Sequence, residues 1–187
     1  MPRSSRLIEV AWDVLETLLR EWQRQPFFCD REIDVQAALA ARRSAAFSLL
    51  GKGTVTGVYE GAPPGYRQLQ QYSRVACEPP LSLPRPYAPL AKCLPDIVIW
   101  KDVEDPMRPP HPYSWPLLWA CELKYGAGKL TDWDESKMKA LLAAGSVDEA
   151  CVVHLNRTIA ASGSGLTCRQ QDGVRVYIVE LPKVQSS

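Results

Sequence analysis

The chain has 187 residues, 46% of them hydrophobic and 23% charged, with a formal net charge of +1. This suits a single soluble, globular domain with a sizeable core, and it excludes a protein that binds nucleic acid through bulk positive charge alone. No apolar run approaches the length of a membrane span, and Glu9 and Asp13 interrupt what would have to be the apolar segment of a secretory leader.

The first predicted element is an amphipathic helix over 5–24. Leu7, Ala11, Val14, Leu18 and Trp22 share one stripe, widened by Leu15 and Leu19, while Glu9, Asp13, Glu16 and Arg20 take the wet side. Pro26 ends it. A second helix starts after Asp30, a good N-cap, and has Glu32 and Asp34 in its first turn, where acids favour the helix dipole. It continues through an alanine-rich segment to Leu50, with Gly51 as the stop.

Residues 51–67 read as loop with one short strand near Val55–Tyr59. Gly51-Lys52-Gly53-Thr54 has the look of a phosphate loop, but Ala46 stands where its first glycine is needed, so it reads as a turn. A strand over Gln68–Glu78 follows, with Tyr72, Arg74, Ala76 and Glu78 on one face. Next come a proline-rich loop, a strand over Asp96–Lys101, a second proline-rich loop over 102–116, and a strand over Leu117–Tyr125 that ends at Gly126 and Gly128. Loops of this length are often functional.

A third helix covers about Trp133 to Ala144, capped by Thr131 or Asp132 and stopped by Gly145. Cys151–Leu155 is a short buried strand, Ala160–Gly173 a polar loop, and Val174–Leu181 a last strand. The order is helix, helix, strand, strand, strand, helix, strand, strand. A hairpin pair leading into a strand–helix–strand crossover implies a mixed sheet flanked by helices, an α/β fold.

Six cysteines stand at 29, 77, 93, 121, 151 and 168 with no C-x-x-C pair, and there are two histidines, which argues against a structural zinc site. Cys77, Cys121 and Cys151 fall in predicted strands, where a free thiol acts as a small apolar residue. The pattern fits a reducing, cytoplasmic setting.

Two of the strands carry charge where a buried strand should not. Asp96 sits at the mouth of one, in PDIVIW; Glu122 and Lys124 sit inside the other, in WACELKY. Strand side chains alternate, so Glu122 and Lys124 point to one face. Burying an unpaired acid costs several kcal/mol, whereas two acids converging on one point are accounted for by a divalent cation between them. The competing reading is the wet face of an edge strand. Leu118 and Ala120, expected on the same face, are apolar, so the charge begins abruptly near the strand's C-terminal end, which favours the site. A second E-x-K, Glu135-Ser136-Lys137, lies in a helix, where i and i+2 do not face together.

Pro95-Asp96 opening one strand and Glu122-Leu123-Lys124 inside the next, in the order helix, three strands, helix, strand, resemble the PD-(D/E)XK nuclease superfamily. The resemblance covers roughly residues 30–156. It implies a restriction-endonuclease-like fold: a central mixed sheet in a helix–β–β–β–helix–β core, here with an extra N-terminal helix over 1–27 and a C-terminal loop and strand over 157–187, all in one domain over 1–187. It further implies Mg²⁺, with Mn²⁺ able to substitute, held by Asp96, Glu122 and the backbone carbonyl of Leu123. Such a cation acts as a Lewis acid and activates the attacking water. Lys124 would orient or deprotonate that water. Glu32 is the candidate acid on the preceding helix, or equally a dipole acid, with Asp34 and Glu78 as further possibilities. Lys137 or Lys139 would face the phosphate, or form an ordinary solvated helix face.

Trp115, Trp119 and Trp133 read as core, with base stacking as the alternative. His154 reads as a core or sheet-edge residue and His111 as solvated. The activity implied is DNA endonuclease cleavage, with DNA as partner and a homodimer or larger complex supplying a second site. The alternatives are an inactive binding or assembly module on the same fold, and a nuclease for RNA or single strands.

Overall fold

The apolar stripe of the first segment closes onto a sheet. In the computed structural model, which describes residues 3–26, 29, 31–61, 66–78, 95–102, 116–126, 132–160 and 165–181, helix α1 spans Arg3–Arg24. Leu7, Ala11, Leu15, Leu18, Leu19 and Trp22 are buried as the period dictates; Val14 is only half-buried, and Trp12 joins the core instead. Glu16, expected on the wet side, is half-buried and accepts a hydrogen bond from the Tyr177 hydroxyl at 3.2 Å.

Helix α2 spans Glu32–Leu49 and buries Val35, Leu39, Arg43 and Phe47, four residues apart each time. Its N-cap is Arg31, in extended conformation, whose backbone N–H donates to the Asp34 carboxylate at 3.0 Å. The cap expected at Asp30 lies outside the described residues. At the other end Gly51 adopts φ +66, and Lys52 N–H reaches the Phe47 carbonyl at 2.8 Å. That left-handed turn suits glycine. It also settles the Gly-Lys-Gly-Thr stretch, which leaves a helix and enters a strand, the reverse of a phosphate loop.

The strand expected over Gln68–Glu78 is two strands in two sheets. Strand β1 (Thr54–Gly61) and strand β2 (Tyr66–Ser73) form an antiparallel two-stranded sheet of their own. The chain bends at Arg74, and the short strand β3 (Val75–Cys77) belongs to the main sheet. The cause is the Arg74 side chain. It is 1% exposed and donates to the carbonyls of Lys52 at 2.6 Å, Trp100 at 2.9 Å and Thr54 at 3.0 Å, and to the Asp102 carboxylate at 2.5 Å. A planar guanidinium with five donors can hold the 52–54 and 100–102 segments at once, and the strand breaks around it.

The main sheet has six strands in the order β3-β4-β5-β6-β8-β7. Strand β4 is Ile97–Trp100 and β5 is Leu117–Tyr125; they pair antiparallel, as do β3 and β4. Helix α3 (Asp132–Ala143) carries the chain to β6 (Val147–Ile159), which pairs parallel with β5. Strand β8 (Val174–Leu181) runs parallel to β6, and β7 (Leu166–Gln171) is its antiparallel edge neighbour. Two sequence expectations fail here. Cys151–Leu155 is the centre of a strand of 13 residues, and the loop expected over Ala160–Gly173 contains β7. Strand β7 is polar and almost wholly exposed, so apolar alternation could not reveal it.

Helices α1 and α2 cover one face of the sheet through Ile97, Ile99, Trp119, Cys121, Leu123, Cys151, Val153 and Leu155. Helix α3 covers the other through Val98, Ala120, Val152 and Val176. Among the described residues the result is an α/β fold with three helices and a mixed six-stranded sheet. A bulge changes one detail. The register slips between Ile99 and Trp100, so Leu118 is an extra residue and joins the α1–α2 side while Ala120 faces α3. Leu118 and Ala120 do not share a face, contrary to expectation.

Among the described residues no helix is long and apolar enough to cross a membrane. Cys29, Cys121 and Cys151 are buried free thiols, but Cys77 is exposed and does not act as apolar filling.

Candidate active site

The register of β4 and β5 places the two acids together. Ile97 pairs with Cys121, so one step toward the loop sets Asp96 opposite Glu122 on the face that α3 covers. Neighbours across an antiparallel pair on one face are about 4.5–5.5 Å apart at Cβ. Asp96 is held from three sides. The Leu123 N–H donates to its Oδ2 at 2.5 Å, and its own carbonyl accepts from the Gln36 side chain at 2.7 Å and from the Glu78 N–H at 3.1 Å. Among the described residues its other oxygen, Oδ1, accepts no hydrogen bond.

Glu122 is 4% exposed. Its Oε1 accepts from the Lys124 ammonium at 2.9 Å and its Oε2 from the Lys137 ammonium at 2.5 Å. Lys124, two residues along the strand, is half-buried and also lies 3.9 Å from the Asp134 carboxylate. Lys137 and Asp134 both come from α3, and both are buried. Helix geometry separates the two lysines of α3. Lys137 lies on the buried side with Asp134, Met138 and Leu141, whereas Lys139 turns to Asp172 at 2.9 Å. The helical E-x-K is thus split: Glu135 pairs with Arg169 and Lys137 enters the site.

The electrostatics follow from this packing. Burial, then the Glu122 charge, push the Asp96 carboxyl up to about 7, against the lowering effects of the Leu123 N–H and Lys124. For Lys124, burial lowers the pKa, but the hydrogen bond to Glu122 and the charges of Glu122, Asp96 and Glu32 outweigh it, so the net shift is upward. Lys124 is therefore an ammonium at neutral pH. Glu32 is half-buried at the start of α2, and its charge acts on both Asp96 and Lys124, which brings it to the rim of the site.

The remaining candidates take different places. Asp34 ion-pairs with Arg31 at 3.1 Å. Glu78 is exposed beyond the end of β3 but adjoins the site, since its N–H donates to the Asp96 carbonyl at 3.1 Å. Trp119 is fully buried, edge-on to Trp12 at 5.5 Å and 3.5 Å beneath the Arg43 guanidinium, so it cannot stack on a base. Trp133 is 56% exposed, next to the buried Asp134, which corrects the core reading for that residue. His154 is buried, with Nε2 at 3.1 Å from the Gly126 carbonyl, as a core histidine. Trp115, His111, Thr131 and Gly128 lie outside the described residues.

Sequence reasoning missed Gln36 and Asp134. Asp134 stands one helical turn before Lys137 and Met138, a spacing that could have revealed it. Gln36 adjoins the buried stripe of α2 and reaches across to a strand, which nothing in its neighbourhood announces.

Among the described residues no three His, Cys, Asp or Glu side chains gather as a metal cluster. Two carboxylates do suit Mg²⁺, which is commonly bound by one or two carboxylates and keeps several waters. The Leu123 N–H, rather than its carbonyl, is the part of that backbone seen to contact Asp96. No protein-family model, curated protein or solved structure matches the chain.

Proposed function

We propose that this protein hydrolyses DNA phosphodiester bonds in a Mg²⁺-dependent reaction, as the PD-(D/E)XK nucleases it resembles do. The observation that carries this reading is the juxtaposition of Asp96 and Glu122 across β4 and β5, with Lys124 against Glu122 on the same face. Asp96, raised to about 7 by burial and by Glu122, is a carboxyl whose charge awaits a cation.

Asp96 and Glu122 would hold Mg²⁺, which supplies Lewis acidity at the phosphate and a more acidic water. The chain's own groups do the rest. The Leu123 N–H and Gln36 fix Asp96. Lys124, against Glu122 on the same face, would orient or deprotonate the attacking water and offset charge on the phosphate. Glu32 adds negative charge at the rim, and the exposed Trp133 stands where an unpaired base could stack. The same reading sets the protein in a reducing cytosol, where its buried free thiols persist, and requires a homodimer or larger complex for cleavage of both strands.

The test is cleavage of plasmid, linear and single-stranded DNA and of RNA in Mg²⁺ or Mn²⁺, beside Lys124→Ala. Cleavage of duplex DNA that EDTA and the substitution both abolish supports the reading; activity that survives both overturns it. Preference for RNA or single strands would move the substrate and keep the chemistry.

A second reading is favoured by one observation: both oxygens of Glu122 are already engaged by lysines, as in a site retained for structure. The fold would then serve as a binding or assembly module. Calorimetry with Mn²⁺ separates the two, since a module of this kind binds no metal there.

A further inference from the structure

The two lysines on Glu122 are not equivalent. Lys124 is partly exposed and has a second carboxylate, Asp134, 3.9 Å away. It can swing off Oε1 and still be compensated within the site. Lys137 comes from a different element, α3, and its side chain is 8% exposed where it meets Oε2 at 2.5 Å. A short ammonium–carboxylate bond in a dry setting is among the stronger hydrogen bonds a protein makes. A divalent cation on Glu122 needs the same lone pairs.

We infer that Lys137 is the resting counter-ion of Glu122. It occupies Oε2 when no divalent cation is bound, and cation binding moves it off that oxygen. Lys137 is thus a positioning residue that sets metal affinity. This rests on the reading of Asp96 and Glu122 as metal ligands. The bond to Lys137 stabilises the metal-free state, so its loss is subtracted from whatever the metal gains. The metal-free protein keeps a buried carboxylate compensated without an ion, at the expense of affinity for that ion.

The experiment is Mn²⁺ titration by calorimetry of the full chain and of Lys137→Met, Lys137→Gln, Lys139→Met and Glu122→Gln, each checked for folding by circular dichroism. Lys137→Met and Lys137→Gln should bind Mn²⁺ about tenfold or more tightly than the parent, the worth of one charge-assisted hydrogen bond. Lys139→Met, two residues along α3 but paired with Asp172, should change affinity less than about twofold. Glu122→Gln should lose binding. Unchanged or weaker affinity in the folded Lys137 variants overturns the inference and leaves the metal reading standing. Equal tightening by Lys139→Met also overturns it, because the effect would then be general charge. Binding by no protein, Lys137→Met included, overturns the metal reading and the inference with it. If neither Lys137 variant folds, the lysine ¹³Cε spectrum of the parent decides. Addition of Mg²⁺ should shift the Lys137 signal, and a Lys137 signal that stays in place under saturating Mg²⁺ overturns the inference.

Discussion

Lys137 and Glu122, fifteen residues apart in the chain, meet at 2.5 Å beneath α3, and this pair joins the helix to β5. Removing either charge in the absence of metal should weaken the fold. Glu122→Gln should lower stability by about 2 kcal/mol or more, since two ammonium bonds lose their charged acceptor. Adding Lys137→Met to it should restore part of the loss, with a coupling of about 1–3 kcal/mol. Urea denaturation of the four proteins of the cycle measures this, and strict additivity would show that the pair does not act as one.

Cleavage should depend on the same small set of residues. Asp96→Asn, Glu122→Gln and Lys124→Ala should each lower the rate by about 10²-fold or more in Mg²⁺. Asp34→Asn, which alters a carboxylate paired with Arg31 at the start of α2, should leave it within about threefold. Single-turnover assays on a labelled duplex compare them directly.

Asp96 gives a pH signature with a definite sign. Its carboxyl rises from the usual 3.8 to about 7, chiefly by burial and then by Glu122, so the native state binds this proton more tightly than the unfolded chain does. The resulting contribution to stability is fully present below about pH 3.8 and is lost as pH rises through about 7. Relative to Asp96→Asn, the parent's melting temperature should therefore fall between pH 4 and 8 in EDTA. Metal binding needs the carboxylate, so Mn²⁺ affinity should move the opposite way and tighten through pH 7. A parent and Asp96→Asn that melt in parallel across this range would contradict the assignment.

Arg74 holds the two-stranded sheet to the main one. Arg74→Ala strips a donor from three carbonyls at once and should cost about 3 kcal/mol or more. Arg74→Lys should recover little, because one ammonium cannot span carbonyls from Lys52, Thr54 and Trp100. Hydrogen exchange should show protection lost first at Thr54–Thr56 and retained in β5 and β6.

Arg43 makes the opposite prediction. It is fully buried between α2 and the sheet, stacked on Trp119, with Nη2 on the Ala11 carbonyl at 2.8 Å. Its Nε and Nη1 have no hydrogen-bond partner among the described residues, and burial lowers its pKa to about 10. Arg43→Met fills similar space without the desolvated charge and should be neutral or stabilising by about 1 kcal/mol or more. A thermal melt decides it.

These contrasts show which parts of the molecule local sequence could specify. Strands β5 and β8 were legible to the residue, because long apolar runs bounded by proline or glycine have few other uses. Asp96, Glu122 and Lys124 stood out because charge in such a run is costly, and the structure brings them together. The break at Arg74 was invisible, since its cause is carbonyls at 52, 54 and 100 rather than any turn residue nearby. Strand β7 was invisible because an exposed edge needs no apolar face. Lys137 was half-visible: its spacing from Asp134 and Leu141 marks the buried side of α3, but nothing in the chain says that Glu122 lies beneath it.

The packing of α1 also governs when this protein can fold. Trp12 and Glu16 of the first helix rest on Tyr177 of β8, 161 residues downstream in the case of Glu16. On the ribosome, β8 is the last strand of the sheet to emerge. Until it does, the Trp12 side of α1 has no partner there, and the β6 edge that β8 will cover stays open. The Trp12 side of α1 therefore stays uncovered on the nascent chain until β8 has emerged, although α2 can already pack on the helix. Ribosome-bound chains stalled before Tyr177 should be more protease-sensitive in α1 than chains that include β8.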